Sequence, residues 1–496
     1  MAILLQTKWD GGQTDDEFGR IVPNSARAIE EIDIFTNNSY IEPVIAFATS
    51  AVTDTDNVSG LTLDDSDVLY VVGEDTGTAG SVLISKVSSA STTSPGAYAD
   101  VYEPNTTNTF FNGTFLEYYK DDTGVEWLYW LSAYNKISRV KTDGTSSSID
   151  AHTLSGQVST YYPPARWQFG GDIFITNGNK IAKLDGSTSA PTYNDAAFTL
   201  PTGWIAIDGT SLGNDSFILA RHEDLNRGNC KVFQWDGVST TGVDDEFNIP
   251  FGGPQMIVNH NEILRVYCVQ NDIMREVILI SNTPIETGNK LTGMAVENGT
   301  FPVIPPTSKF IKDGILYFGV NADTKDALYA VKSTQSNKYG AMCLWSTISL
   351  TADTYVFPRC AINAGGNIYV GNGTGLYRAL TDGNRSSKAM IESVWITNPR
   401  DPSDIVTTKN FNKFFVATKK LPASVAIDID ARVDDDSASY TDIGQDYDTD
   451  NKTYDYLIGK AFQGKKIQYR LSFTSSSTSR AQLYAFGIGY DKGTVN

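Results

Sequence analysis

Histidine, methionine and cysteine are scarce: three, six and four residues in a chain of 496. Cys230, Cys268, Cys343 and Cys360 stand 38, 75 and 17 residues apart, so no CxxC pair exists. That spacing argues against a zinc site or a redox motif, and buried free thiols are expected. His152, His222 and His260 lie near no Gly-x-Ser-x-Gly and no His-Glu-x-x-His, so a serine or zinc hydrolase has no motif support. No Gly-x-x-x-x-Gly-Lys-Ser/Thr occurs, and no Gly-x-Gly-x-x-Gly on a strand-to-helix turn, so no cofactor is expected. Gly371-x-Gly373-x-Gly375 lies between two β-rich runs and reads as a hairpin. Basic charge is short: 39 Lys plus Arg face 58 Asp plus Glu, a net −19. Such a surface argues against non-specific nucleic-acid binding and against docking on an anionic membrane. No apolar run approaches the 18 or so residues of a membrane span, so no membrane anchoring is expected. The N-terminal apolar run is four residues, too short for a signal-peptide core, which leads to the expectation of synthesis in a cytoplasm.

Helical periodicity is also scarce, with 24–31 (NSARAIEE) the best short helix candidate. What is abundant is β-forming and turn-forming: 25 Tyr, 23 Phe and 42 Gly. A short strand, often with an aromatic at its centre, recurs along the chain. Its instances are 68–73 (VLYVVG), 127–131 (WLYWL), 172–176 (DIFIT), 216–220 (SFILA), 263–269 (ILRVYCV), 315–320 (ILYFGV) and 367–371 (NIYVG). With Tyr70, Tyr129, Phe174, Phe217, Tyr267, Tyr317 and Tyr369 as markers, the spacings are 59, 45, 43, 50, 50 and 52, a mean near 50. A partner strand follows each: 82–87, 137–141, 181–184, 231–235, 277–280, 328–331 and 375–380. Four partners run into Asp-Gly, at 143-144, 185-186, 236-237 and 382-383, as tight hairpins with two positive-φ residues would. The Asp-Gly turns lack the spacing and the Trp of a sialidase Asp-box.

A β-only period near 50 suggests a propeller, whose four-stranded blades bury their faces against neighbours in a ring. The expectation is an all-β chain: a β-propeller of about seven blades over 46–387, then an antiparallel β-sandwich over 388–496. Residues 1–45 fall outside the repeat and are read as an N-terminal arm that binds a neighbouring component or closes the ring. The alternative is two or three unrelated sandwiches. Beyond a Pro/Asp loop at 397–404, the runs 411–418, 426–433, 466–473 and 483–490 are strands. In 426–433, Ile427, Ile429, Ala431 and Val433 share one face.

No catalytic residue stands out. Asp446-x-Asp448-x-Asp450 has the alternating oxygens of a calcium loop, but Asn451 replaces the Gly of an EF-hand and Leu457 its last Glu. A solvated acidic loop is the plainer account, as it is for Asp434-Asp435-Asp436. Trp127, Trp130, Trp167 and Trp204 are conceivable sugar platforms, though such rings are mostly core.

The two ends carry a resemblance. Trp9-Asp10-Gly11-Gly12-Gln13-Thr14-Asp15-Asp16-Glu17-Phe18-Gly19, followed by Ile32-Asp33-Ile34, resembles the opening of many tailed-phage virion proteins. Lys413-Phe414-Phe415-Val416, Gln468-Tyr469-Arg470-Leu471-Ser472-Phe473 and Tyr484-x-Phe486-Gly487-Ile488-Gly489-Tyr490 resemble the end of the same group. Propeller followed by sandwich is similar to the tail nozzle and packaged-DNA stabilisation proteins of short-tailed phages. That resemblance implies a non-enzymatic virion tail part. Its partners would be copies of itself in a ring, neighbouring tail or adaptor proteins, and genomic DNA passing through an acidic lumen without being bound. The alternative is a tail-tip receptor- or glycan-binding protein, which an exposed aromatic patch would favour. A propeller glycosidase, needing two carboxylates about 5–10 Å apart in a central pocket, is a further alternative.

Overall fold

The computed structural model describes residues 2–492, except 7–8, 10–11, 14–24, 38, 50–54, 105, 108, 186–190, 225–229, 282, 295–302, 323–325, 335–338, 348–357, 374, 380–385, 387–388, 397–406, 449–452 and 476–478. The loop at 397–404, the turn at 382-383 and Asp450 lie outside the described residues. Among those described, the one helical element is a 3-10 turn, Pro306–Ser308. No helix is long and apolar enough to cross a membrane.

The chain is a β-propeller. Seven four-stranded antiparallel units follow one another at 55–102, 116–153, 166–199, 204–249, 254–292, 309–346 and 360–379, called blades 1 to 7 here. The recurring strand of the sequence is the second strand of every blade, and its partner is the third. All seven aromatic markers are buried, from Tyr267 and Tyr369 at 0% exposure to Phe217 at 6%. Each marker ring fills the space between sheets that no blade can fill by itself.

Blade 7 lacks a fourth strand of its own. Ala48–Thr49 supplies it, pairing antiparallel with Gly375–Ala379. The ring is thus closed by a segment that precedes blade 1, and blade 7 meets blade 1 where Arg359 donates to Asn57 and Asn112.

The described parts of residues 1–45, read as an arm, are built into the rest of the chain. Ala2–Gln6 pairs with the last strand, Leu483–Lys492. Ser25–Glu30 bridges blade 6 at Leu344 to Met390–Ser393. It joins blade 6 and the C-terminal module into one ten-stranded sheet. This strand corrects the helix expected at 24–31. Buried Ala26 and Ile29 and pairing on both edges outweigh a helical propensity that is only a weak prior. The C-terminal module packs two sheets over one core. Ile427, Ile429 and Leu471 from one meet Phe414, Phe486 and Ile488 from the other.

Gly186 of the turn at 185-186 also lies outside the described residues, and the two Asp-Gly turns that are described differ from the expected geometry. Gly144 and Gly237 adopt φ of +75° and +77°, while their aspartates do not take positive φ. Instead each carboxylate accepts from the chain beyond it. Asp143 accepts from the Thr145 amide and hydroxyl, and Asp236 from the Val238 and Ser239 amides. A Cβ at Gly144 would stand 2.3 Å from the Val101 carbonyl oxygen, so close approach as well as φ demands glycine there. Those donors hold both carboxyls below the usual aspartate range: Thr145 for Asp143, Ser239 and Val238 for Asp236. The unfolded chain therefore binds these protons more tightly. The stabilisation is present above about pH 4 and is lost as pH falls through the depressed values. We expect thermal midpoints followed by circular dichroism to fall steadily below about pH 4. A midpoint unchanged down to pH 2.5 would contradict this origin.

Candidate functional site: an aromatic and arginine patch between blades 3 and 4

The first strands of the blades, nearest the ring axis, pair their charges across blade boundaries. Arg166 of blade 3 meets Glu117 of blade 2 at 2.5 Å, and Gln168 donates to the same carboxylate. Asp208 of blade 4 accepts from Lys309 of blade 6 and from the Ile257 amide of blade 5, while Lys309 also donates to the Ile257 carbonyl at 2.8 Å. Burial presses the Asp208 carboxyl up and the Lys309 ammonium down, and each partner's charge opposes the shift. These groups staple three consecutive blades. Their acids are engaged with cations, so this belt is structural.

Polar and aromatic groups with fewer obligations gather at one end of blades 3 and 4. The loop from blade 2 to blade 3 is held in place at both ends. The Gly156 amide donates to Asn177, and Gln157 donates to the Tyr162 carbonyl. Tyr161 packs against Gly178, where a Cβ would lie 3.4 Å from its ring. The loop thereby delivers Tyr161 and Tyr162 to the end of the second strand of blade 4. There the Arg221 guanidinium lies 5.9 Å from the centroid of each ring. At the same strand end, but on the other side of the blade 4 sheet, Trp204 meets His222 edge-on at 5.3 Å, and Lys231 sits over the Trp204 ring at 5.3 Å. All four rings and Arg221 are partly exposed. Lys231 is paired with Glu246. Arg221 makes no ion pair with a described carboxylate, and its Nε is shielded from water with no acceptor.

Of the tryptophans named as platforms, Trp127, Trp130 and Trp167 are core, 0–7% exposed. Trp204 alone of the four is partly open. The histidines have separate settings. His152 bonds Asp195 at 2.8 Å and stacks on Tyr193; His260 is buried between Arg265 and the Gly314 carbonyl. The patch itself was missed at the sequence level. Its residues lie 60 apart, and only the Tyr161-Tyr162 pair just before a blade hinted at it.

The acidic candidates regroup. Asp446 meets Asp428 and Asp442, their carboxylate oxygens within 4.8 Å of one another, and Asp448 is not part of that group. Asp434 accepts from the Lys465 and Lys466 amides, Asp435 caps Ser437, and Asp436 accepts from Trp395, so that run is turn structure. Burial, then the charges of Asp430, Asp446 and Asp442, raises the Asp428 carboxyl. A raised carboxyl disfavours the folded state once ionised, and stability is regained as pH falls through its folded value. We expect Asp428→Asn, without added divalent ions, to stabilise the fold at neutral pH by up to about 1 kcal/mol in urea titration. A loss of stability would show that the carboxylate is needed.

No family model matches the chain, and no curated protein matches it in sequence. Solved structures of similar fold are found. Drosophila Semaphorin 2a matches at 8% identity and TM-score 0.38, over 69% of this chain and 76% of that one. The Aleuria aurantia lectin, a six-bladed β-propeller that recognises fucose, matches at 14% and 0.33, over 62% of this chain and its own full length. An exo-β-1,3-galactanase from Phanerochaete chrysosporium matches at 11% and 0.29, over 89% and 100%. The likeness concerns the fold alone.

Proposed function

We propose that the chain is a non-catalytic glycan-binding propeller, with the cluster of Tyr161, Tyr162 and Arg221 as its binding surface and Trp204 at the same end of blade 4. The observation that carries this reading is the Arg221 guanidinium, set against two tyrosines with no carboxylate partner among the described residues. Sugar rings offer apolar C–H faces to aromatic planes and hydroxyl oxygens to a fixed donor, and this patch supplies both. The acids of the central belt, Glu117 and Asp208, are tied to Arg166 and Lys309, which favours binding over hydrolysis. The virion implied by the two chain ends is retained as the proposed setting. There the patch suits a receptor-binding part of the tail. The passage-ring reading has the resemblance and the net charge behind it, and nothing in the geometry of the chain adds to them.

The reading is tested by incubating the protein with a panel of immobilised glycans and then assaying for released sugar. We expect retention on a subset of glycans without release. Tyr162→Ala should weaken that retention about tenfold or more, as loss of an interface aromatic does. Retention on no glycan, or steady release of sugar, would overturn it.

A further inference from the structure

Blades 2 and 3 enclose a second group of donors, which the patch does not use. In blade 2 the second and third strands pair Trp127 with Lys141, Tyr129 with Arg139 and Leu131 with Ile137. These residues point into the gap toward Ile173, Ile175 and Leu184 of blade 3. Besides Asp121 and Lys141, three polar groups enter the gap. The Tyr129 side chain is only 1% exposed; its hydroxyl oxygen faces Arg139, and no described group accepts its proton. Arg139 lies 4.3 Å over the Trp127 ring, and its Nη1 is shielded from water with no acceptor. The Tyr193 hydroxyl, reaching in from the outer strand of blade 3, is shielded and unpartnered as well. A buried donor with no acceptor is destabilising, and Arg139, Tyr129 and Tyr193 each bring one to the same gap.

The surrounding charges leave the positive end uncompensated. Asp121 faces the gap, but its oxygens already accept from Trp127 Nε1, Val125 and Thr123. Asp172 is paired with Lys183, and Asp195 with His152. Lys141 adds a second cation over the Trp127 ring at 5.7 Å. Burial raises both Tyr129 and Tyr193 above the usual phenol value, so both stay protonated donors at neutral pH. Tyr193 and the His152 ring stacked on it at 4.5 Å form the outer wall, and both are partly exposed, which gives a route in.

We infer that the gap between blades 2 and 3 is a binding site for a small oxyanion, a carboxylate, sulfate or phosphate group, held by Arg139, Tyr129 and Tyr193. Such a group has the acceptor oxygens that one guanidinium and two phenols require, and its charge suits an arginine with no acid of its own.

The test is thermal stability against increasing sodium sulfate or phosphate at constant ionic strength made up with chloride, on the full chain. Wild type is expected to show a saturable rise in melting temperature. Arg139→Met, which keeps the stem over Trp127, should abolish the saturable part, and Tyr193→Phe should weaken the apparent affinity about tenfold. Sulfate also stabilises proteins generally, so the difference between wild type and variant is the reading that counts. Equal responses from wild type and Arg139→Met would overturn the inference. So would Tyr129→Phe raising stability in chloride with no anion dependence in wild type, the signature of hydroxyls satisfied by water alone. If Arg139→Met does not fold, Tyr193→Phe alone decides: an unchanged anion response overturns the site.

Discussion

A chain lacking residues 1–51 is expected not to fold cooperatively. The segment contributes three separate structural parts. Ala48–Thr49 is the fourth strand of blade 7, Ser25–Glu30 joins blade 6 to the C-terminal module, and Ala2–Gln6 covers the edge of Leu483–Lys492. It also carries Trp9, Ile29, Ile32, Ile34, Phe35, Ile41, Val44 and Phe47 into the shared core, none more than 7% exposed. At about 1.5–3 kcal/mol for each large apolar side chain, their removal forfeits more than 10 kcal/mol. That is comparable with the whole stability of an ordinary domain, about 5–15 kcal/mol. Glu31 adds a polar tie, accepting from the Thr347 amide and hydroxyl and from Ser386. The expected outcome is aggregated material, or a broad melt without a sharp transition in calorimetry. A soluble truncated chain with a wild-type melt would show that the ring closes without its borrowed strand.

Arg265→Met is expected to be the most damaging single substitution. Arg265 and Glu276 are paired at 2.7 Å with both side chains almost wholly buried. Glu276 also accepts from Tyr267, Thr287 and Asn289. Arg265 donates to His260 and to the Tyr339 carbonyl of blade 6, while His260 bonds the Gly314 carbonyl in the same blade. Burial lowers His260, so its ring is neutral: Nδ1 accepts from arginine and Nε2 donates to Gly314. The network therefore fastens blade 5 to blade 6 through groups that have no water to fall back on. Removing the cation leaves the Glu276 charge buried and alone, at a cost of about 3–5 kcal/mol. In a chain of this size, unfolding as one unit, that corresponds to a fall in melting temperature of about 3–5 °C. The double variant Arg265→Met, Glu276→Gln should recover part of the loss, because the stranded charge is gone. A double variant no better than the single one would place the cost in packing and not in charge.

The second and third strands of each blade were legible because they are the most buried. Their apolar runs and central aromatics survive as a pattern, and Tyr70 through Tyr369 mark every blade. Some first and fourth strands were less legible, since they are shorter or half-exposed, as in 99–102, where no apolar run forms. The two-residue closing strand carries no sequence signal at all. Ser25–Glu30 misled for a related reason: a sequence of good helix formers was drawn into a sheet by partners more than 300 residues away. The alternation in 426–433 was read correctly, with Ile427, Ile429 and Ala431 buried. Its other face was subtler, because Asp430 is also nearly buried and held by Arg470. Sites fared worse than strands. Arg221 and Tyr161 belong to different blades, and Asp446 found its neighbours in Asp428 and Asp442 instead of in its own loop. Side chains that meet across blades share no spacing that a linear reading could detect.

Glycan-array binding, measured side by side for wild type, Arg221→Ala and Arg139→Met, tests the central claim most directly. The account predicts a defined set of glycans bound by wild type, lost or weakened at least about tenfold in Arg221→Ala, and kept by Arg139→Met, whose site lies elsewhere in the ring. Binding that survives Arg221→Ala unchanged, or no binding by wild type at any concentration, would contradict it.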